Sequence, residues 1–168
     1  MSPGAMSHAL SWSVPKAQVV PLTVGQTLDL GDVKLTGIPA RHDANVPGWE
    51  VPDAFGALLD FGGVRIYHTG DTDYDPRIHR ALAGTSLALA TLCINGSVGN
   101  MNAHEAALLG WQLDAKAVIP HHHILWSRPA DKIPAYETLD ANLFAETYRK
   151  LGGRAQVHLP AVDAGRSE

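Results

Sequence analysis

Hydrophobic and polar positions in the first half of the chain form short strand-like runs separated by turn residues. The four runs are TLDL, VKLTGI, FGALLDF and VRIYH, at residues 27–30, 33–38, 55–61 and 64–68. The first pair flanks Gly31 and Asp32, and the second pair flanks Gly62 and Gly63. Because glycine adopts the positive φ angles of tight turns, each pair predicts a β-hairpin. We expect the hairpins to follow a loosely structured start that extends to about Pro15.

From Asp71 onward the pattern changes to helix-like and strand-like segments in alternation. Helices are predicted over residues 76–83, 103–113 and 138–151, and strands over residues 87–93, 115–120 and 154–160. The run LALATLC at 87–93 is continuously apolar, which is typical of a strand covered on both faces. Alternating strands and helices predict an α/β fold. No repeat or linker divides the chain, so we expect a single domain over residues 1–168.

Two of these helices carry specific signals. Asn102 and Glu105 have the spacing of a capping box at the start of the helix over 103–113. The helix over 138–151 has an apolar stripe, and Gly152 follows its last residue. The residues of that stripe are Leu139, Leu143, Phe144 and Leu151.

Composition narrows the classes of partner. The formal net charge is −4 and the basic residues are scattered, so we expect no nucleic-acid partner. The single cysteine, Cys93, cannot form an internal disulfide and lies in an apolar run, which predicts a buried side chain and a reducing compartment. No signal peptide or membrane-length apolar run is evident. We therefore expect a cytoplasmic protein with no membrane partner.

Metal-competent side chains stand at the ends of three predicted strands. His42 follows IPAR, His68 and Asp71 belong to YHTGD, and residues 121–123 are three consecutive histidines after AVIP. Strand ends of this kind meet at one edge of a sheet, and imidazole with carboxylate is a ligand set for zinc. Each histidine taken singly is better explained as an ordinary turn residue, and only the conjunction of three strand ends makes a metal site an equally good explanation. Side chains alternate along an extended chain, so at most two of the three consecutive histidines can serve one site.

The long loops fall between these strand ends. The segment RHDANVPGWEVPDA, at residues 41–54, has neither a helical nor a strand period, and INGSVGNMN occupies residues 94–102. Loops of such length are often functional.

The order of IYHTGDTDYD, INGSVGNMN and AKAVIPHHHILWS along the chain resembles the second half of the metallo-β-lactamase superfamily. More narrowly, it is similar to the L-ascorbate-6-phosphate lactonase-like group of metal-dependent hydrolases. The resemblance extends from about Ser13 to Pro160. It implies half of an αββα sandwich, a mixed sheet with helices on one face. It also implies water activated by a divalent metal, either Zn or Mn, that attacks a small-molecule substrate such as a lactone or a phosphoester.

The resemblance also implies roles for individual residues. His42 matches a ligand of the first metal, Asp71 the carboxylate that bridges up to two ions, and His122 a ligand of the second metal. His121 and His123 match no ligand, and His68 occupies a supporting position. The loop over 94–102 would line the substrate site.

One motif of that superfamily, H-x-H-x-D-H, is absent from the sequence. It belongs to the N-terminal half of the fold, so we expect this domain to lack that half. Each ion would then have two protein ligands, fewer than the three of a catalytic zinc site. One face of the sheet would also be uncovered. We therefore expect an incomplete site, and self-association or pairing with a separately encoded first half. DNA upstream of Met1 that encodes the motif would indicate a truncated reading frame.

Two other functions remain open. The chain is alternatively a non-catalytic remnant or interaction subunit of the same fold, whose histidines are ordinary loop residues. The other alternative is weak metal storage by the tract of three histidines, which would not require Asp71.

Overall fold

The computed structural model describes residues 1–42, 51–123 and 140–159. In these residues the chain forms four α-helices and seven β-strands, with one turn of 3-10 helix at Lys16–Gln18. The helices are α1 (Pro3–Ser11), α2 (Pro76–Leu82), α3 (Ala103–Leu113) and α4 (Ala141–Lys150). The strands are β1 (Thr27–Asp29), β2 (Lys34–Pro39), β3 (Phe55–Phe61), β4 (Val64–His68), β5 (Leu89–Cys93), β6 (Ala117–His121) and β7 (Gln156–Val157).

The strands form one mixed sheet in the order β1 to β7. Strands β1 to β4 are antiparallel, which confirms both predicted hairpins. Gly62 and Gly63 have φ angles of 63° and 101°, so the second hairpin needs residues without a side chain in its turn. Strands β4 to β7 are parallel. Their crossover connections contain α2, α3 and α4.

Helices α2, α3 and α4 cover one face of the sheet, which we name the covered face. Tyr67, Ala90 and Val118 are aligned across β4, β5 and β6 and are fully buried. They form one core cluster with helix residues, among them Ile78, Leu109, Phe144 and Tyr148. A mixed sheet with helices on one face is the predicted α/β arrangement, and the prediction is confirmed.

The opposite face, which we name the open face, carries an apolar row across five strands. The row consists of Leu28, Leu35, Leu59, Ile66 and Leu89, aligned by the register of β1 to β5. All five side chains are only half-buried. The prediction that LALATLC is covered on both faces is therefore wrong: Ala90 and Leu92 are fully buried while Leu89 and Thr91, on the other side of the pleat, are not.

The predicted loose start is also wrong, because Pro3–Ser11 forms helix α1. Its alanine, leucine and methionine residues favour a helix, and Pro3 stands in the first turn, where proline is tolerated. Hydrogen bonds to residues later in the sequence hold the start of the chain in place. The Met1 carbonyl accepts a hydrogen bond from the Leu22 amide, and the Gly4 amide donates to the Asp53 carboxylate.

Helices α2 and α3 begin where the sequence predicts, whereas α4 begins at Ala141, inside the predicted range of 138–151. The Asn102 side chain accepts hydrogen bonds from the amides of His104 and Glu105. The Asn102 amide donates to the Glu105 carboxylate, so the capping box is confirmed. Asp75 caps α2.

In helix α4, the set of buried residues differs from the predicted apolar stripe. Phe144 is fully buried, but Leu151 follows the last helical residue and is 38% exposed. Tyr148 takes the predicted inner position, and its hydroxyl accepts from the Ala155 amide. Leu139 lies outside the described residues, as do residues 43–50 of the predicted long loop. The strand predicted over residues 154–160 is reduced to Gln156–Val157.

None of the helices in the described ranges is long and apolar enough to cross a membrane.

Candidate metal centre

Asp71 stands three residues after β4, beyond a turn in which Gly70 has a φ angle of 62°. His42 Nε2 lies 3.7 Å from one carboxylate oxygen of Asp71, and His122 Nδ1 lies 3.2 Å from the other. The structure thus brings together the three residues that the sequence predicts as metal ligands. Each oxygen of Asp71 faces a different imidazole.

His122 reaches Asp71 through a left-handed turn. Strand β6 continues through Pro120 to His121, so the proline does not end the strand as the sequence suggested. His122 then has a φ angle of 59°, a conformation that residues with a side chain rarely adopt. Alternation along an extended chain is therefore not what orients His122, because the chain leaves the extended conformation at this residue.

His121 turns to a different set of partners. Its ring lies 4.6 Å from the ring of His68, centroid to centroid, and its Nε2 is 3.3 Å from the Thr69 hydroxyl. Burial, with the neighbouring His68 as a smaller cause, lowers the pKa of His121 to about 4. His68 Nδ1 accepts a hydrogen bond from the Gly70 amide. His68 and His121 thus form a pair beside the turn that presents Asp71.

Thr72 connects the segments that carry the three residues. It is fully buried, and its hydroxyl accepts from the Arg41 amide at 2.9 Å. Its carbonyl accepts from the Met101 amide at 2.8 Å. The Asp73 amide in turn donates to the Arg41 carbonyl at 2.7 Å. These bonds hold the end of β2, next to His42, against the turn that contains Asp71.

Asn95 is the buried neighbour of His122. Its side-chain nitrogen lies 3.2 Å from His122 Nε2, and its oxygen accepts from both the amide and the hydroxyl of Ser97. The side-chain nitrogen of Asn100 donates to the Ser97 carbonyl, while its side-chain oxygen is buried without a hydrogen-bond partner. The loop over 94–101 is therefore held by its own side chains.

A cavity of about 320 Å³ adjoins Asp71. It is lined by Ser2, His42, Val51, Ala54, Phe55 and Asp71. Helix α1, which the sequence did not predict, thus contributes its N-cap residue to the wall of the cavity. The volume is that of a small-molecule site.

The donor chemistry of these three residues suits a divalent metal, since imidazole and carboxylate are ligands of zinc and related ions. Nδ1 of His42 and Nδ1 of His122 are buried without a hydrogen-bond partner. Although His122 Nδ1 lies close to Asp71, the contact does not have hydrogen-bond geometry. Within residues 1–42, 51–123 and 140–159, no group of three or more ligand side chains closes around a metal position.

Sequence reasoning missed Thr69, Thr72 and Asn95, all of which are almost completely buried. Their signal is a polar residue at the end of an apolar strand, for example Asn95 directly after LALATLCI. A buried polar side chain needs a partner, so such a position indicates a hydrogen-bond network. The sequence does not indicate which residues provide the partners.

A family model described as a beta-lactamase superfamily domain matches residues 3–123. The chain belongs to the beta-lactamase superfamily. Among curated proteins it is similar to a "UPF0173 metal-dependent hydrolase" of Natranaerobius thermophilus, 34% identical over 66% of this chain and 49% of the relative. A protein of the same description from Pyrobaculum aerophilum is 35% identical over 66% of this chain and 47% of the relative. The chain spans about half the length of these relatives.

Solved structures show the same superfamily fold. A metallo hydrolase from the archaeon Ignicoccus hospitalis superposes with a TM-score of 0.71 at 22% identity, over 95% of this chain and 64% of that protein. An isothiocyanate hydrolase from Delia radicum gut bacteria superposes with a TM-score of 0.65 at 15% identity, over 96% and 62%. At these identities the likeness shows the fold alone. The family predicted from the sequence is confirmed, and the narrower likeness to ascorbate-6-phosphate lactonases stays a prediction.

Proposed function

We propose that this chain is the C-terminal part of a metal-dependent hydrolase in which Asp71 holds the metal ions together with His42 and His122. The observation that carries the proposal is the placement of the two imidazoles on opposite oxygens of one carboxylate, at 3.7 Å and 3.2 Å. A carboxylate in this arrangement suits a bridge between two ions. The curated relatives, both named metal-dependent hydrolases, support the same activity.

The metal would be Zn or Mn, and its contribution when bound is to activate water for attack on a carbonyl or phosphoryl centre. Asp71 would hold the metal from a turn that Thr72 fixes against the segment before His42. The adjoining cavity, walled by Phe55 and Val51 on its apolar side, would receive the substrate. Lactones and phosphoesters are the substrates we propose, because both have an electrophilic centre that activated water attacks.

We further infer that the site is incomplete in this chain alone. Two protein ligands per ion are fewer than the three that catalytic zinc sites use. The open face supports the inference, because its apolar row is only half-buried and the chain spans about half of the relatives it matches. A first half of the domain, supplied separately, would add ligands and cover that face.

The test is metal content and activity of the full chain. Purified protein would be analysed for bound metal by mass spectrometry and assayed with a set of lactones and phosphodiesters, with and without added Zn²⁺ or Mn²⁺. Asp71→Asn and His122→Ala should each lower bound metal sharply, because each removes a proposed ligand. His79→Ala is the matched control, since His79 is exposed on α2. A folded chain that binds no metal under any of these conditions would contradict the proposal.

A second candidate is a non-catalytic member of the same fold. It is favoured by the finding that the described residues close no group of three ligands around a metal. This candidate predicts that chelators do not change the unfolding midpoint, and that His122→Ala leaves stability unchanged. Loss of stability on metal removal would exclude it.

A further inference from the structure

The orientation of the Asn95 side chain follows from its partners. Asn95 is 4% exposed, and its oxygen lies 3.1 Å from the Ser97 amide nitrogen and 2.8 Å from the Ser97 hydroxyl. A backbone N–H group can only donate, so the atom that faces it must be the carboxamide oxygen. The carboxamide nitrogen is then the atom that lies 3.2 Å from His122 Nε2.

This orientation decides which nitrogen of His122 carries the proton. A carboxamide nitrogen only donates, so His122 Nε2 must accept. A ring nitrogen that accepts a hydrogen bond carries no proton, and the proton of the neutral ring is therefore on Nδ1. Nδ1 is the atom that lies 3.2 Å from the Asp71 carboxylate. The His122 nitrogen that lies near Asp71 thus carries an N–H group and not a lone pair, although this N–H is not aligned with a carboxylate oxygen as in a hydrogen bond.

Histidines that bind metals are normally arranged in the opposite way. One ring nitrogen coordinates the ion, and the other donates its N–H to a carboxylate, a carbonyl or water. At His122, the ring nitrogen Nε2 faces the side-chain nitrogen of Asn95, which is a donor and not an acceptor. We propose that Asn95 is a positioning residue that holds His122 with its proton on Nδ1, and that it thereby lowers the metal affinity of the Asp71–His122 pair. The second part of this inference rests on the proposed function, because it takes His122 as a metal ligand.

Rotation of the Asn95 amide does not remove the conflict. After a half-turn the carboxamide NH₂ would face the Ser97 amide, and two donors would oppose each other. The loop cannot move Ser97 away easily, because Asn100 donates to the Ser97 carbonyl at 3.1 Å. Gly96 on the other side donates to the Met101 carbonyl at 2.8 Å. The orientation of Asn95 is therefore held by the loop.

Asn95→Asp tests the inference with a near-isosteric change. One carboxylate oxygen would still accept from Ser97, and the other would accept an N–H from His122 Nε2. The proton of His122 would move to Nε2, and Nδ1, the nitrogen near Asp71, would carry a lone pair. Asn102→Asp is the matched control, because it adds the same charge at the end of the same loop and aspartate caps a helix as well as asparagine.

The first measurement is the tautomer of His122 in the metal-free full chain. Two-bond ¹H–¹⁵N correlation spectra at about pH 8, where ordinary imidazoles are neutral, distinguish a proton on Nδ1 from one on Nε2. The His122 signal is identified by its absence in His122→Ala. We expect the proton on Nδ1 in the native chain and in Asn102→Asp, and on Nε2 in Asn95→Asp. A native His122 with its proton on Nε2 would overturn the inference, and this measurement does not depend on any variant at position 95.

The second measurement is Zn²⁺ affinity by competition with a chromophoric chelator. We expect Asn95→Asp to bind Zn²⁺ about 10-fold more tightly or better, the usual size of an effect on the partner of a ligating histidine, and Asn102→Asp to bind as the native chain does. Equal affinity in the native chain and Asn95→Asp would overturn the effect on metal binding. Failure of the proposed function would show differently, as no Zn²⁺ binding by the native chain or by any variant while the tautomers of His122 still follow expectation.

Discussion

The two faces of the sheet are built from the same strands, yet they differ in burial. On the covered face, Leu92 is fully buried beneath the helices. On the open face, Leu89 of the same strand is half-buried. The pleat places the two leucines on opposite sides. Their difference teaches that apolar strand residues are buried only where another layer packs on them.

The same contrast locates the candidate metal centre. The covered face has a continuous core in which strands and helices meet, and it holds the polar residues Thr72 and Asn95 at its edge. The Asp71 side chain lies beyond this core and is 46% exposed. The buried polar residues are thus part of the core on the covered face, while Asp71, the proposed shared ligand, lies outside it.

Leu92→Ala should cause the largest change, because it empties space in the covered core. We expect the free energy of unfolding to fall by about 2–5 kcal/mol, measured by urea denaturation. A loss below 1 kcal/mol would mean that the covered face is not the stable half of the molecule.

Ile66→Lys tests the open face. If this face is an interface, the charge should weaken association about 10-fold or more, because burying an isoleucine is worth about 1.5–3 kcal/mol. Sedimentation velocity over a range of concentrations measures self-association. A native chain that stays monomeric alone and gains a partner only with a supplied first half would assign the face to that half. His79→Ala serves as the surface control.

Asp75→Asn tests the edge of the covered face. Arg77, through its side-chain hydrogen bond, lowers the pKa of Asp75. A lowered pKa means that the ionised group stabilises the fold above the unfolded value of about 3.9, and that this stabilisation is lost as the pH falls below it. Asparagine caps a helix equally well, so the variant removes only the ion pair, whose exposed arginine limits its value to about 1 kcal/mol or less.

Urea denaturation of Asp75→Asn at several pH values measures this effect. The variant should be slightly less stable than the native protein at pH 7 and should approach it below about pH 4. An unchanged difference at all pH values would show that the ion pair does not contribute.

Leu89→Ala should have the smallest effect on the isolated chain. The side chain is half-buried on the open face, so we expect a loss of about 1 kcal/mol or less in the urea experiment used for Leu92→Ala. If the two leucine substitutions cost the same, the distinction between the faces is wrong for the protein in solution.

Local signals predicted much of the fold correctly. The Gly62–Gly63 turn and the capping box of Asn102 and Glu105 depend on a few adjacent residues, and both are present in the structure. Errors arose where a residue's environment depends on distant segments. Leu151 has the spacing of a core residue, but Tyr148 fills that place because it also reaches the Ala155 amide.

The candidate site shows the same division. Residue types and strand ends predicted that histidines and Asp71 meet at one edge, and the family resemblance singled out His42, Asp71 and His122. The structure places the two imidazoles beside the Asp71 carboxylate. The left-handed turn at His122 was not predictable, because the sequence there contains no glycine or other turn signal. The role of Asn95 was not predictable either, because it depends on contacts with Ser97 and with a histidine 27 positions away in the chain.

By itself, the sequence determined most of the elements after helix α1, the superfamily and the residue types of the candidate site, since these follow from periodicity and from short motifs. Only the tertiary structure decided which side of each strand is buried, how His122 is oriented and which of its two ring nitrogens carries the proton. The reason is physical. Periodicity is a property of neighbouring residues, whereas burial and the direction of a hydrogen bond are set by groups that folding brings together.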